Sequence, residues 1–214
     1  MDQSFAETLR QRIVGEYAAQ GYKRGWRLLY SPASVIDDAD VAFIGLNPGG
    51  DIGDQSHAEF AMPHGSAYTH ESWKGRPVGE EGLQRQVRHL FDRLECPAED
   101  VLAGNLVPFR SSNWGSLEHR GTAVTFGTEL WRDILDHARP RIIVAMGTVA
   151  AMHVRQLLDV REVEQVRVNW GPVTGTRGVA GGITFVGLPH LSRFPLFGRP
   201  ESQASLDWLF RTSA

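Results

Sequence analysis

The chain holds a single cysteine, Cys96, among its 214 residues. One thiol rules out an internal disulfide framework and a cysteine-built metal cluster. No apolar run approaches the roughly 18 to 20 residues that cross a bilayer, which predicts a soluble protein with no membrane association. The opening Met1-Asp2-Gln3-Ser4-Phe5-Ala6-Glu7 lacks the basic and apolar regions of a secretory leader, so a reducing cytoplasm is expected. An excess of positive charge is also missing, with 22 Lys and Arg against 25 Asp and Glu and a net charge of -3. Basic residues supply most of the non-specific affinity for a polyanion. A nucleic-acid partner would therefore need positive potential concentrated at one place, which a slightly acidic chain can still provide.

Hydrophobic residues at 42% and charged residues at 22% are those of a globular protein. The length suits one α/β domain spanning residues 1-214. Phe5, Leu9, Ile13 and Tyr17 recur every four residues, which predicts an amphipathic helix. Asp38 to Leu46 ends a continuous apolar run at Asn47-Pro48-Gly49-Gly50, the pattern of a buried parallel strand running into a turn. A long aperiodic stretch, 50 to 80, follows, and loops of that length are usually functional. Helical spacing returns at Glu81 to Leu94, Phe126 to Ala138, Gly147 to Leu158 and Glu201 to Phe210. Strands are expected at Val101 to Val107, Arg141 to Met146 and Gly182 to Leu188, with a hairpin around Gly171-Pro172. Alternating strands and helices imply a three-layer α/β/α fold around a central, mostly parallel four-stranded sheet. Ligands in such sheets bind beyond the carboxyl ends of the strands. That rule brings together the turns at Asn47, Asn105 and His190.

Three stretches then take on a shared meaning. Gly45-Leu46-Asn47-Pro48-Gly49 ends the first strand, Gly104-Asn105-Leu106-Val107-Pro108-Phe109 ends the second, and Pro189-His190-Leu191-Ser192-Arg193-Phe194 follows the last. In this order, each at a strand end, they resemble the motifs of the uracil-DNA glycosylase superfamily, nearest its single-strand-selective and mismatch-specific branches. The resemblance covers roughly residues 38 to 210. It implies an enzyme that excises uracil or a related damaged pyrimidine from single- or double-stranded DNA by hydrolysing the N-glycosidic bond, as a monomer without metal or other cofactor. The alternative on the same fold is a protein that binds a nucleobase or nucleic acid without cleaving it.

The resemblance also implies roles. Such an enzyme must flip the nucleotide out of the stack and hold it in a pocket. Gly45, Leu46, Pro48 and Gly49 would line that pocket, and Phe60, thirteen residues beyond Asn47, would stack on the base, although Tyr68 and Trp73 share its loop. Asn105 offers one carbonyl acceptor and amide N–H donors, which match the N3–H and O4 edge of uracil and oppose that of cytosine. His190 would donate to the departing base, where negative charge develops. Asn47 would position water, with Asp51 as an alternative base.

Arg110, Ser192, Arg193, Phe194 and Arg199 are candidate DNA contacts, and Leu191, Phe194 and Leu196 are either apolar wedges or caps on the core. The third motif departs from the family's His-Pro-Ser by placing proline before His190, which changes the path of that loop. Gly49-Gly50-Asp51-Ile52-Gly53 lacks the residues of a phosphate loop, and His57, His64 and His70 match no common zinc spacing.

Overall fold

The computed structural model describes residues 3–49 and 57–211. Helix α1 (Gln3–Ala19) precedes strand β1 (Val41–Gly45), then the short α2 (Ala67–His70), α3 (Gly82–Arg93) and β2 (Leu102–Asn105). Helix α4 (Arg120–Ala138), β3 (Ile142–Met146) and α5 (Thr148–Leu157) follow. The chain then forms β4 (Glu164–Trp170), β5 (Val173–Ala180), β6 (Ile183–Leu188) and α6 (Pro200–Leu209).

Every residue of β1 is buried, and its side chains divide by the period-two rule. Ala42 and Ile44 join a core with Leu9 and Ile13 of α1, Trp131 and Ile134 of α4 and Val154 of α5. Val41 and Phe43 face the other way, into a core with Leu90 and Phe91 of α3 and Leu206 and Leu209 of α6. Two cores on opposite sheet faces make three layers, and a strand buried on both faces reads as an unbroken apolar run.

The sheet order is β2-β1-β3-β6-β5-β4. The first four strands are mutually parallel. Beyond them β5 runs antiparallel to β6, and β4 antiparallel to β5. The expected four strands are thus the parallel block of a six-stranded sheet. The hairpin turning at Gly171-Pro172 does not stand apart: its second strand pairs with β6 from Thr176↔Gly187 to Ala180↔Ile183, covering an edge that would otherwise leave backbone groups open.

Helix α4 starts six residues before the expected Phe126, after His119 turns the chain through a left-handed conformation (φ 50°). Gly127 lets this helix close on β2's end, because a Cβ there would overlap the Leu106 carbonyl oxygen. At the start of α3, Glu81 accepts from the Leu83 N–H while Gln84 accepts from the Glu81 N–H, a reciprocal cap. Among the described residues no helix is long and apolar enough to cross a membrane.

Candidate active site

The carboxyl ends of β2, β1, β3 and β6 share one edge of the sheet, and the first two are stitched together beyond their last residues. The Leu106 N–H donates to the Gly45 carbonyl and the Val107 N–H to that of Leu46, each at 2.9 Å; the Ser111 N–H reaches Pro48 O at 3.2 Å. Asn47 adds its side chain, donating from Nδ2 to Ser111 Oγ at 2.8 Å and to the Pro48 and Phe109 carbonyls. These bonds commit the amide nitrogen, and among the described residues Oδ1 makes none. Arg110 is 9% exposed and donates to the Gly49 carbonyl from Nε and Nη2 at 3.1 and 3.0 Å, so its charge lies under the Asn47-Pro48-Gly49 turn.

Asn105 sits opposite Gly45 in the ladder and is 7% exposed. Its main-chain carbonyl accepts from the Trp131 indole N–H at 2.7 Å, and its side-chain Nδ2 donates to Tyr30 Oη at 2.9 Å. Its Oδ1 occupies the space where a Gly45 side chain would begin, which explains why glycine ends β1. Tyr30 belongs to a stretch that runs along the outside of β2: the Tyr30 N–H donates to Ala103 O at 2.7 Å, and Leu29 bridges to Gly104. Its ring lies under the Arg27 guanidinium, 4.3 Å from the centroid, and stacks on Tyr68 at 5.4 Å. Arg27 is 3% exposed and forks onto both oxygens of Glu71 at 2.9 and 2.8 Å. Glu71 also accepts from the Trp73 indole at 2.8 Å and faces His57 Nδ1 at 3.3 Å. Burial alone would raise the Glu71 carboxyl, but hydrogen bonds and charge from Arg27, with help from Trp73 and His57, bring its pKa below the ordinary value.

His190 follows β6, two strand spacings from β1, or about 10 Å at the backbone. It borders Gly147 at the end of β3, and its Nδ1 is 2.9 Å from Ser192 Oγ. With the Ser192 hydroxyl donating a hydrogen bond to Nδ1, neutral imidazole carries its proton on Nε2 as the N–H donor. The protein around the ring, and secondarily the charge of Lys74, lowers the pKa of His190 and favours neutral imidazole. Lys74 itself pairs with Glu81 at 2.9 Å; Trp73 beside it packs edge-on to Tyr30 at 6.0 Å, and Tyr30 holds Asn105. Past His190, Trp170 of β4 donates to Pro195 O at 3.0 Å and meets Phe194 edge-on at 6.0 Å. Arg199 lies over the same indole at 4.3 Å and donates to Asn169 O. His190, Arg193 and Phe194 border a groove of about 940 Å³ between α5 and the β4-β5 hairpin, which Asn47 and Asn105 do not line.

Gly45, Leu46, Asn47, Pro48, Gly49, Asn105 and Arg110 therefore form one bonded cluster, with His190 and Ser192 across the strand ends from it. His190, Ser192 and Arg193 are exposed and Phe194 is half-buried. Leu191 and Leu196, considered as wedges, are fully buried and cap the core instead. Phe60 is half-buried at the margin of the other core, its carbonyl bonded to the Leu29 N–H. Tyr68 is 4% exposed, between Tyr30 and Phe91, and Trp73 is held by Glu71. Asp51 lies outside the described residues. Tyr30, Arg27 and Glu71 had no sequence signal beyond the density of aromatic residues near them.

Parallel strands with bonded turns at their carboxyl ends define a doubly wound α/β protein, a class whose ligands bind beyond those strand ends. The family model of the uracil DNA glycosylase superfamily matches residues 32–201, a span that holds all three strand-end motifs. The chain belongs to that superfamily. No curated protein matches its sequence.

Proposed function

We propose that this protein is a DNA glycosylase that excises uracil or a related damaged pyrimidine, working as a monomer and a single domain over residues 1-214. The observation that carries the reading is the Asn105 carboxamide, buried at the end of β2 and fixed between Gly45 and Tyr30. An amide held in one plane reads the donor and acceptor edge of a pyrimidine and penalises the wrong one. His190, neutral and carrying its proton on Nε2, donates to the base oxygen as the glycosidic electrons move onto the ring. Asn47 presents Oδ1 to the water that attacks the sugar carbon. A neutral amide cannot take up the proton as a carboxylate would, so the rate is modest. Phe60, half-buried at the margin of the core, stacks on the base. Ser192, Arg193, Phe194 and Arg199 meet the DNA strand on the exposed side of the loop, and Arg110 supports the turn that carries Asn47.

Release of labelled base from single- and double-stranded oligonucleotides bearing uracil, hydroxymethyluracil, xanthine or hypoxanthine, at low salt, tests the reading. Release by the wild type that is lost in both Asn47→Ala and His190→Ala supports it. No release from any substrate overturns it in favour of a non-catalytic nucleobase or nucleic-acid binder.

A further inference from the structure

The geometry points to Tyr30 as the residue that holds the Asn105 amide in one plane, and so as a positioning residue for base selectivity; the selectivity part rests on the glycosylase reading. An asparagine side chain is nearly symmetric in shape, and a half-turn about its last bond exchanges carbonyl for amine. In one orientation its outer edge complements uracil, in the other cytosine. Selectivity therefore requires something that distinguishes Oδ1 from Nδ2.

The Gly45 contact does so, and Tyr30 holds the result. Oδ1 fills the space over the Gly45 Cα, where an amine would turn a proton onto a C–H with no acceptor, and Nδ2 donates to Tyr30 Oη at 2.9 Å, which fixes the plane. An amide nitrogen carries two protons, so the one given to Tyr30 leaves the other beside Oδ1, forming the donor and acceptor pair that uracil needs.

Tyr30 is itself held from every side. Its N–H is bonded to Ala103 O, and its carbonyl accepts from the Ala67 N–H at 2.8 Å and from Ser66 Oγ at 3.2 Å. Arg27 lies on the ring, Tyr68 stacks against it and Trp73 meets it edge-on. Arg27 is held in turn by Glu71, Leu29 O and Met62 Sδ. Burial raises the pKa of the phenol, so Tyr30 keeps its proton and stays a neutral hydrogen-bonding group. Nothing in this arrangement requires Tyr30 to touch the base.

The test is Tyr30→Phe, which keeps the ring between Arg27 and Tyr68 and removes only the hydroxyl. The first readout is the side-chain amide of Asn105 in ¹⁵N–¹H spectra. One of its protons exchanges slowly in the wild type, and in Tyr30→Phe it loses that protection and shifts. The second is the ratio of uracil to cytosine release from otherwise identical single-stranded oligonucleotides, expected to fall roughly tenfold, the worth of one hydrogen bond. Unchanged Asn105 resonances overturn the inference, and so does an unchanged ratio with both rates lowered equally, which is the mark of a merely structural tyrosine. If the wild type releases no base the glycosylase reading fails, and the Asn105 resonances alone decide the positioning role. If Tyr30→Phe does not fold, the wild-type exchange decides it: slow exchange of one Asn105 proton supports the role and rapid exchange of both overturns it.

Discussion

The Oδ1 atom of Asn105 lies where a side chain on Gly45 would begin, so the residue ending β1 and the residue ending β2 share one volume. Gly45→Ala must push the carboxamide out of its place. Overpacking of this kind costs about 1 to 3 kcal/mol, leaving a folded protein. Misplacement of a recognition group by about 1 Å lowers rate on the order of 100-fold. Thermal unfolding and base release on the same preparation check this, with a fall in release far larger than the loss of stability explains.

Arg27 and Glu71 form a buried pair, and removing one partner strands the other. Glu71→Ala is expected to destabilise the protein by about 3 to 5 kcal/mol in urea unfolding. The pair also sets a pH dependence. The folded-state pKa of Glu71 lies below its ordinary 4.5, so its contribution is fully present above that pH and is lost as the pH falls through the lower folded value. Wild-type stability drops across that acid range, and the drop is smaller in Glu71→Gln.

Desolvation by the protein around the ring lowers the pKa of His190, and the charge of Lys74 lowers it further. Lys74→Met should raise the midpoint of His190 in an NMR titration of its ring, while leaving it below the ordinary 6.5 because the protein around the ring is unchanged. A midpoint that does not move would mean that the Lys74 charge does not reach the ring in solution.

Trp170 joins the hairpin to the loop that carries His190, through its bond to Pro195 O. Trp170→Phe loses that bond, worth about 0.5 to 1.5 kcal/mol, and should loosen the loop. The Arg193 and Phe194 amides, both bonded to His190 O, report the change as faster hydrogen exchange. Amides within β3 and β1 should be unaffected.

Much of this architecture is legible in the residues themselves. Runs such as Val41-Ala42-Phe43-Ile44 announce strands buried on both faces, and turn residues after them mark where a site must lie. The hairpin at Gly171-Pro172 is equally visible, yet its pairing with β6 is a long-range choice that no local pattern records. Burial of Leu191 and Leu196 was hidden for a similar reason, since an apolar residue in a loop reads alike whether it faces solvent or core. Tyr30, Arg27 and Glu71 were illegible because their meaning lies in contacts across 44 and 75 residues of sequence. A polar side chain acquires a role from its partner, and periodicity carries no trace of partners so distant.

The most direct test of the account is single-turnover release of uracil from a single-stranded oligonucleotide by the wild type and by Asn105→Ala, with binding to the undamaged strand measured in parallel. The account predicts an abasic product with the wild type, its loss with Asn105→Ala, and equal binding of the undamaged strand by both. No abasic product with the wild type, or equal product from both proteins, would contradict it.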